Sequence, residues 1–321
     1  MTYIFIFILL FVLELLYFRI ADRFNIIDKP NERSSHTAIT LRGGGVIFYL
    51  AALIFFIESG FQYPWFFLGL TMMSVVSFLD DIFTLSNKIR LFIHFVSVLL
   101  MAYQLDLFTM PWYYILILFV VVVGVINAYN FMDGINGITA CYSLAVGALL
   151  MIVNDEISFI AQDLLNYTML GVLVFTFFNF RNRAKCFAGD VGSVAIAFVL
   201  LFSLGALILK TGNFIYFLFL TVYGIDAVWT IIRRLYLKEN IFEAHRSHLY
   251  QFLGNEAGMN KLLISFLYGI IQLIIGLAVI KFASYNIETQ WIFALVLLSV
   301  LSIMYLVLKT WVIKKFVNRV K

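Results

Sequence analysis

Charge is scarce in this chain. Of its 321 residues only 12% are Asp, Glu, Lys or Arg, while 63% are hydrophobic. Soluble domains are about a quarter charged and about half apolar. No soluble fold of this length could hide so much apolar surface, whereas a bilayer can. Cysteine is nearly missing: Cys141 lies in a hydrophobic run and Cys186 in a basic loop, which excludes a disulfide framework. Proline numbers three, giving little support to the broken helices that transporters use around sites at the bilayer midplane. The N-terminal apolar run lacks the basic residues that open a signal peptide. Arg19 and Arg23 follow the run instead, so it is expected to be a retained first span with its N-terminus outside. Low-complexity stretches, internal repeats and an appended soluble domain are all missing.

Long hydrophobic runs are plentiful. Eleven stand out, at roughly 3–21, 43–59, 65–79, 90–105, 111–129, 138–153, 164–180, 193–209, 213–232, 261–281 and 290–308. A span needs about 20 apolar residues, and backbone groups in lipid must pair within their own segment or around a closed barrel. These runs are too long and too evenly apolar for barrel strands, which alternate. They predict an all-α polytopic integral membrane protein of about eleven transmembrane helices, one transmembrane domain over 1–321. Alternate connections then carry 20 of the 22 Lys and Arg, and only Lys210 and Lys281 fall on the other side. That bias marks the basic side as cytoplasmic, with the C-terminus there too.

The polar residues on that side form five clusters. The first connection reads Asp28-Lys29-Pro30-Asn31-Glu32-Arg33-Ser34-Ser35-His36-Thr37 and then Arg42-Gly43-Gly44-Gly45. Glycines allow close backbone approach, and N–H groups opening a helix attract anions, although a basic loop with packing glycines would read the same. Asp80-Asp81 follows an apolar run directly. Adjacent carboxylates at a membrane boundary are costly unless they meet water, a metal or a cation, and like charges so close push one pKa upward, which poises a base or a shared cation site. Asn130, Asp133 and Asn136 recur every three residues, a spacing that suits one helix face and presents the oxygen donors that hard cations such as Mg²⁺ take. Gly189-Asp190-Val191-Gly192-Ser193 places one carboxylate between small residues, with Arg181, Arg183 and Lys185 upstream. Those bases could hold phosphate oxygens, while Asp and Ser there also suit a helix N-cap. The longest basic loop holds His245-Arg246-Ser247-His248, where two imidazoles around a guanidinium can bind phosphate or supply protons. His94, inside the fourth run, is expected to be a packed polar residue.

Taken in this order, Asp-Asp after a span, Asn-x-x-Asp-Gly, Gly-Asp-x-Gly-Ser and the Arg/His loop resemble the polyprenyl-phosphate N-acetylhexosamine-1-phosphate transferases of glycosyltransferase family 4. That family includes the phospho-N-acetylmuramoyl-pentapeptide transferase and the undecaprenyl-phosphate GlcNAc-1-phosphate transferase. The match runs from about 28 to 251. The last two helices and the basic tail, 261–321, carry no motif.

The resemblance implies a bacterial inner-membrane enzyme with its site on the cytoplasmic face. It would join the sugar phosphate of a UDP-N-acetyl amino sugar to polyprenyl (undecaprenyl) phosphate and release UMP. Mg²⁺, or Mn²⁺ in its place, is implied on Asp190 and Asn130. The implied catalytic residues are Asp80, Asp81, Asp190 and His248. Asn130, Asp133, Asn136, Arg181, Arg246, His245 and Lys88 would bind substrate. Asp226 resembles a supporting acid of the family. A homodimer is expected, and no nucleic-acid partner.

Two features depart from the pattern. Asn136 stands where some relatives have Asp, and the His run is thinner than in the pentapeptide enzymes, with Tyr250 and Gln251 following. The wording His-Arg-Ser-His-Leu-Tyr-Gln looks more like the branch that begins O-antigen or other surface polysaccharides. The pentapeptide reaction stays as one alternative. An ion-coupled transporter is the rival from another class, although its polar groups would sit near the midplane rather than at segment ends.

Overall fold

A computed structural model describes residues 1–30, 35, 38–83, 85–240 and 246–317. The chain is a bundle of long helices: α1 (Thr2–Arg23), α2 (Val46–Glu58), α3 (Pro64–Phe83), α4 (Asn87–Gln104), α5 (Tyr113–Met132), α6 (Ile138–Ile157), α7 (Gln162–Asn179), α8 (Gly189–Thr211), α9 (Thr221–Tyr236), α10 (Leu249–Gln251), α11 (Lys261–Phe282) and α12 (Ile287–Val312). Between α1 and α2 lies one small antiparallel pair, β1 (Ile27–Asp28) with β2 (Thr40–Leu41).

Every one of the eleven predicted runs falls on a helical segment. Among the described residues eight helices are long and apolar enough to cross a membrane, and the chain is an all-α polytopic membrane protein. The helices of the second, fourth and seventh runs fall outside that group of eight. The organisation is concentric. α8 is almost wholly enclosed and packs on α2, α3, α5 and α6. α12 is almost wholly exposed, with Trp291, Ile292, Leu295 and Val307 outward, as a helix facing lipid should be.

The ends of the helices differ from the runs for physical reasons. α2 starts at Val46 rather than Gly43 because the glycines are bound elsewhere: Gly44 N donates to Phe187 O at 2.8 Å and Gly45 N to Ala188 O at 3.1 Å. The helix of the ninth run is interrupted despite its lack of proline. It opens as a 3-10 segment, Phe214–Leu220, before α9. The buried Gln272 side chain takes over the hydrogen bonds at that junction, accepting from Val222 N at 3.0 Å and donating to Leu218 O at 3.1 Å. A side chain inserted into the backbone ladder is a known cause of such breaks.

Candidate active site

The site is built where α3, α8 and the first connection meet. α3 continues past its apolar part, so Asp80 and Asp81 occupy its last turn. α8 begins at Gly189, which puts Asp190 in its first turn rather than at its cap. The cap comes from a distant carboxylate. Asp81 Oδ1 accepts from Asp190 N at 3.0 Å, and Asp81 Oδ2 accepts from Val191 N at 3.2 Å. Both are otherwise orphan donors of a helix start, and a negative charge there is favoured by the helix dipole. Gly189 makes this possible. Its φ is +71°, and a Cβ there would stand 2.6 Å from Asp81 Oδ2 and 2.9 Å from Gly43 N.

Two arginines neutralise the acids. Arg42 Nε lies 2.7 Å from Asp81 Oδ1, and Arg90 Nη1 lies 2.8 Å from Asp80 Oδ2. Asp80 also accepts from Leu85 N at 2.6 Å. Each arginine turns a second nitrogen toward Asp190 from farther off, at 3.4 Å for Arg42 and 3.6 Å for Arg90. The side chain of Asp81 is 0% exposed, that of Asp80 8% and that of Asp190 19%. Asp190 is therefore the acid of the three that is least committed and most open.

Beside it is a cavity of about 320 Å³ lined by Asp28, Arg42, Asn130, Asp133, Asn136, Asn179, Asp190 and Gln251, among others. Asn130, Asp133 and Asn136 all reach it, yet they do not share a helix face. α5 ends at Met132, Asp133 follows in a non-helical conformation, and Gly137 turns the chain at φ +84°. Asn130 Nδ2 donates to Ser193 Oγ at 3.3 Å, tying α5 to the first turn of α8. Asp133 Oδ1 accepts from the Thr139 hydroxyl at 2.6 Å. Burial pushes its carboxyl up to about 7, against the pull of that hydrogen bond. Asn136 Nδ2 donates to Arg181 O at 2.7 Å.

Other predicted residues lie farther out. Arg181 stacks on Phe177 and donates to Phe177 O at 2.6 Å. Together with Asn136 it borders a second, smaller hollow near Lys261. Arg246 pairs with Glu256 at 2.9 Å. Lys88 is exposed in the first turn of α4, and it is Arg90, one half-turn on, that meets the carboxylates. His248 is 1% exposed and its Nδ1 lies 3.2 Å from Asp226 Oδ1, so its ring is held on that acid instead of lining the cavity. His94 is buried in α4. His245 and His36 lie outside the described residues.

Three residues carry more than their sequence positions announced. Arg42 and Arg90 read as topology charges, yet they join the acids. Asn179 reads as part of an apolar run, yet its Oδ1 accepts from Gly137 N at 2.6 Å and its Nδ2 donates to Cys186 O at 2.8 Å. A polar residue closing an apolar run was the available signal.

Among the described residues no group of three or more His, Cys, Asp or Glu stands together as a metal cluster. Asp190 and Asn130 offer one carboxylate and one amide beside a polar cavity. Mg²⁺ is usually bound through one or two carboxylates and completed by water and substrate phosphates, so this donor pair fits such an ion.

An all-α membrane protein with carboxylates, amides and a guanidinium facing one polar cavity defines a membrane-embedded site for a charged, oxygen-rich ligand. The model of glycosyl transferase family 4 matches residues 63–209, a stretch that includes Asp80, Asp81, Asn130, Asp133 and Asp190. Over that stretch the chain is similar to that family.

Relatives match over most of their length. The probable undecaprenyl-phosphate N-acetylglucosaminyl 1-phosphate transferase of Bacillus subtilis (strain 168) is 26% identical over 88% of this chain and 86% of its own. The undecaprenyl-phosphate alpha-N-acetylglucosaminyl 1-phosphate transferase of Thermotoga maritima is 28% identical over 76% and 78%. That of Escherichia coli (strain K12) is 26% identical over 98% and 93%.

Proposed function

We propose that this chain transfers an N-acetylated amino-sugar 1-phosphate from a UDP-sugar to undecaprenyl phosphate, as the first membrane step of O-antigen or another surface polysaccharide. An oxygen of the lipid phosphate attacks the sugar-bearing phosphorus. The bond from that phosphorus to the bridging oxygen breaks, UMP leaves, and the sugar is left on a lipid diphosphate. The names of the relatives support this reaction class. The lysine and arginine bias supports a cytoplasmic face in a bacterial inner membrane. The homodimer belongs to the same reading and rests on the resemblance.

Two anions must meet, so the work is mainly positioning and charge stabilisation. Mg²⁺ held by Asp190 and Asn130 would neutralise diphosphate charge and polarise the attacked phosphorus. Arg42 and Arg90, already shared loosely with Asp190, can turn those nitrogens onto phosphate oxygens without leaving Asp81 and Asp80. Asp81 holds the first turn of α8 and so aims Asp190. Asp80 steadies Arg90 at the lipid phosphate and is the nearer candidate to take its proton, since Asp81 is fully enclosed. Asp133, Asn136 and Asn179 line the part of the cavity left for the nucleotide.

The observation that carries this reading is the openness of Asp190 between two half-committed arginines beside the cavity. Its test is product identity. Membranes containing the chain, given undecaprenyl phosphate and a panel of UDP-sugars, should yield one lipid-linked sugar diphosphate by mass spectrometry. Uptake of a solute into vesicles with no lipid product from any donor would favour a transporter instead.

A further inference from the structure

The last two helices carry no motif, yet one of them reaches a buried charge cluster behind the cavity. Asp226, on α9, is 1% exposed. Its Oδ1 accepts from Leu249 N at 3.1 Å and from the Tyr305 hydroxyl at 2.8 Å, and it faces His248 Nδ1 at 3.2 Å. The Thr230 hydroxyl donates to the same oxygen at 3.2 Å, and the Tyr268 hydroxyl donates to Oδ2 at 2.8 Å. Lys309, in the last turn of α12, is 3% exposed. Its ammonium donates to Thr230 Oγ1 at 2.7 Å and to the Tyr305 oxygen at 2.6 Å.

An ammonium only donates and an ionised carboxylate only accepts. The two hydroxyls between them each receive from Lys309 and can pass their own hydrogens to Asp226, and they also lie 3.1 Å from each other. Lys309 and Asp226 form an ion pair relayed through hydroxyls, and such chains polarise one another where the local dielectric is low. The contact between His248 Nδ1 and this carboxylate is favourable when the ring carries its hydrogen on Nδ1. From His248 the chain continues to the site, which it reaches at Gln251. The Tyr250 hydroxyl donates to Phe131 O at 2.8 Å, at the end of α5, and Gln251 lines the cavity.

We propose that Lys309 and Tyr305 of α12 are positioning residues for the transfer, acting through Asp226 to fix the His248 ring and the short segment after it that brings Gln251 to the cavity. The inference rests on the reaction class proposed above. It gives the motif-less C-terminal helix a task that its exposed, lipid-facing surface does not explain. Lys309 is a buried cation on that helix, and a charge taken out of water persists only if paired.

The test uses the whole chain in detergent with ¹⁵N-histidine, since only four histidines occur and a His248→Gln variant identifies the signal. Lys309→Met keeps the length of the side chain and removes its charge, and Tyr305→Phe removes one hydroxyl. In the unaltered chain His248 should show a protonated Nδ1. Lys309→Met should lower kcat for UMP release by about tenfold or more, with KM for the UDP-sugar little changed, and should shift the His248 signal toward a mixture. Tyr305→Phe should do the same to a smaller degree, and it stands in if Lys309→Met fails to fold. Loss of activity with an unmoved His248 signal, or a moved signal with unchanged kcat, would overturn the proposal. If the unaltered chain releases no UMP, the reaction class fails. The His248 signal would then still decide whether α12 sets that ring.

Discussion

Asp133 shows how much one residue's setting can differ from its sequence context. It follows α5 and sits at the head of the cavity, where burial pushes its carboxyl from an ordinary 3.8 up to about 7. A carboxyl with a raised folded value binds its proton more tightly in the folded state. Its contribution to stability is present below about 4 and is lost as pH rises through about 7. Melting of the ligand-free chain in detergent should therefore move down between pH 5 and pH 8 by more in the unaltered chain than in Asp133→Asn. Equal shifts in the two would place Asp133 in water.

At this scale the sequence was legible in part. The acids announced themselves because carboxylates at a membrane boundary are expensive, and Asp190, Asn130, Asp133 and Asn136 do share one cavity. The arginines did not, because Arg42 and Arg90 satisfy the positive-inside bias equally well whether or not they touch an acid. His248 read as a catalytic imidazole from its loop. Its partner, Asp226, lies 22 residues earlier in an apolar helix, a distance that pattern reading does not bridge.

Elements matter here mainly through their ends. α2 and α8 approach so closely that a Cβ on Gly45 would lie 2.3 Å from the Gly192 Cα, backbone that cannot swing away. That contact fixes the first turn of α8 against the loop bearing Arg42, so it also sets the distance from Arg42 to Asp190. Gly45→Ala should destabilise the chain by about 1–3 kcal/mol through overpacking and lower UMP release with it. An unchanged melting temperature would show that the two helices separate freely.

The existence of the helices was readable from hydrophobic run length, since lipid leaves the backbone few alternatives. Their ends were not, because they are decided by long-range partners: Asp81 for the start of α8, Phe187 and Ala188 for the start of α2, Gln272 for the break before α9. The three residues Asn130, Asp133 and Asn136 do line one cavity, but not by the shared helix face that their spacing suggested. The chain leaves the helix after Met132, and a turn rather than a helix face brings the three together.

Across the whole molecule, acids and bases far apart in sequence gather around one cavity. The separation of 20 of the 22 Lys and Arg from Lys210 and Lys281 predicts the side. Single cysteines replacing the exposed Lys88 and Arg183 should resist a membrane-impermeant maleimide in intact cells, and one replacing the exposed Lys281 should react. Reaction at 88 with protection at 183 would put the two halves of the cavity in different compartments and end the account.

The most direct measurement is release of UMP by the purified chain from a UDP-N-acetyl amino sugar and undecaprenyl phosphate, with and without Mg²⁺, in the unaltered chain and in Asp190→Asn. Mg²⁺-dependent release is expected, falling by about a hundredfold to a thousandfold in the variant, as loss of a central electrostatic group does, while the variant stays folded. Full activity in Asp190→Asn would contradict this expectation.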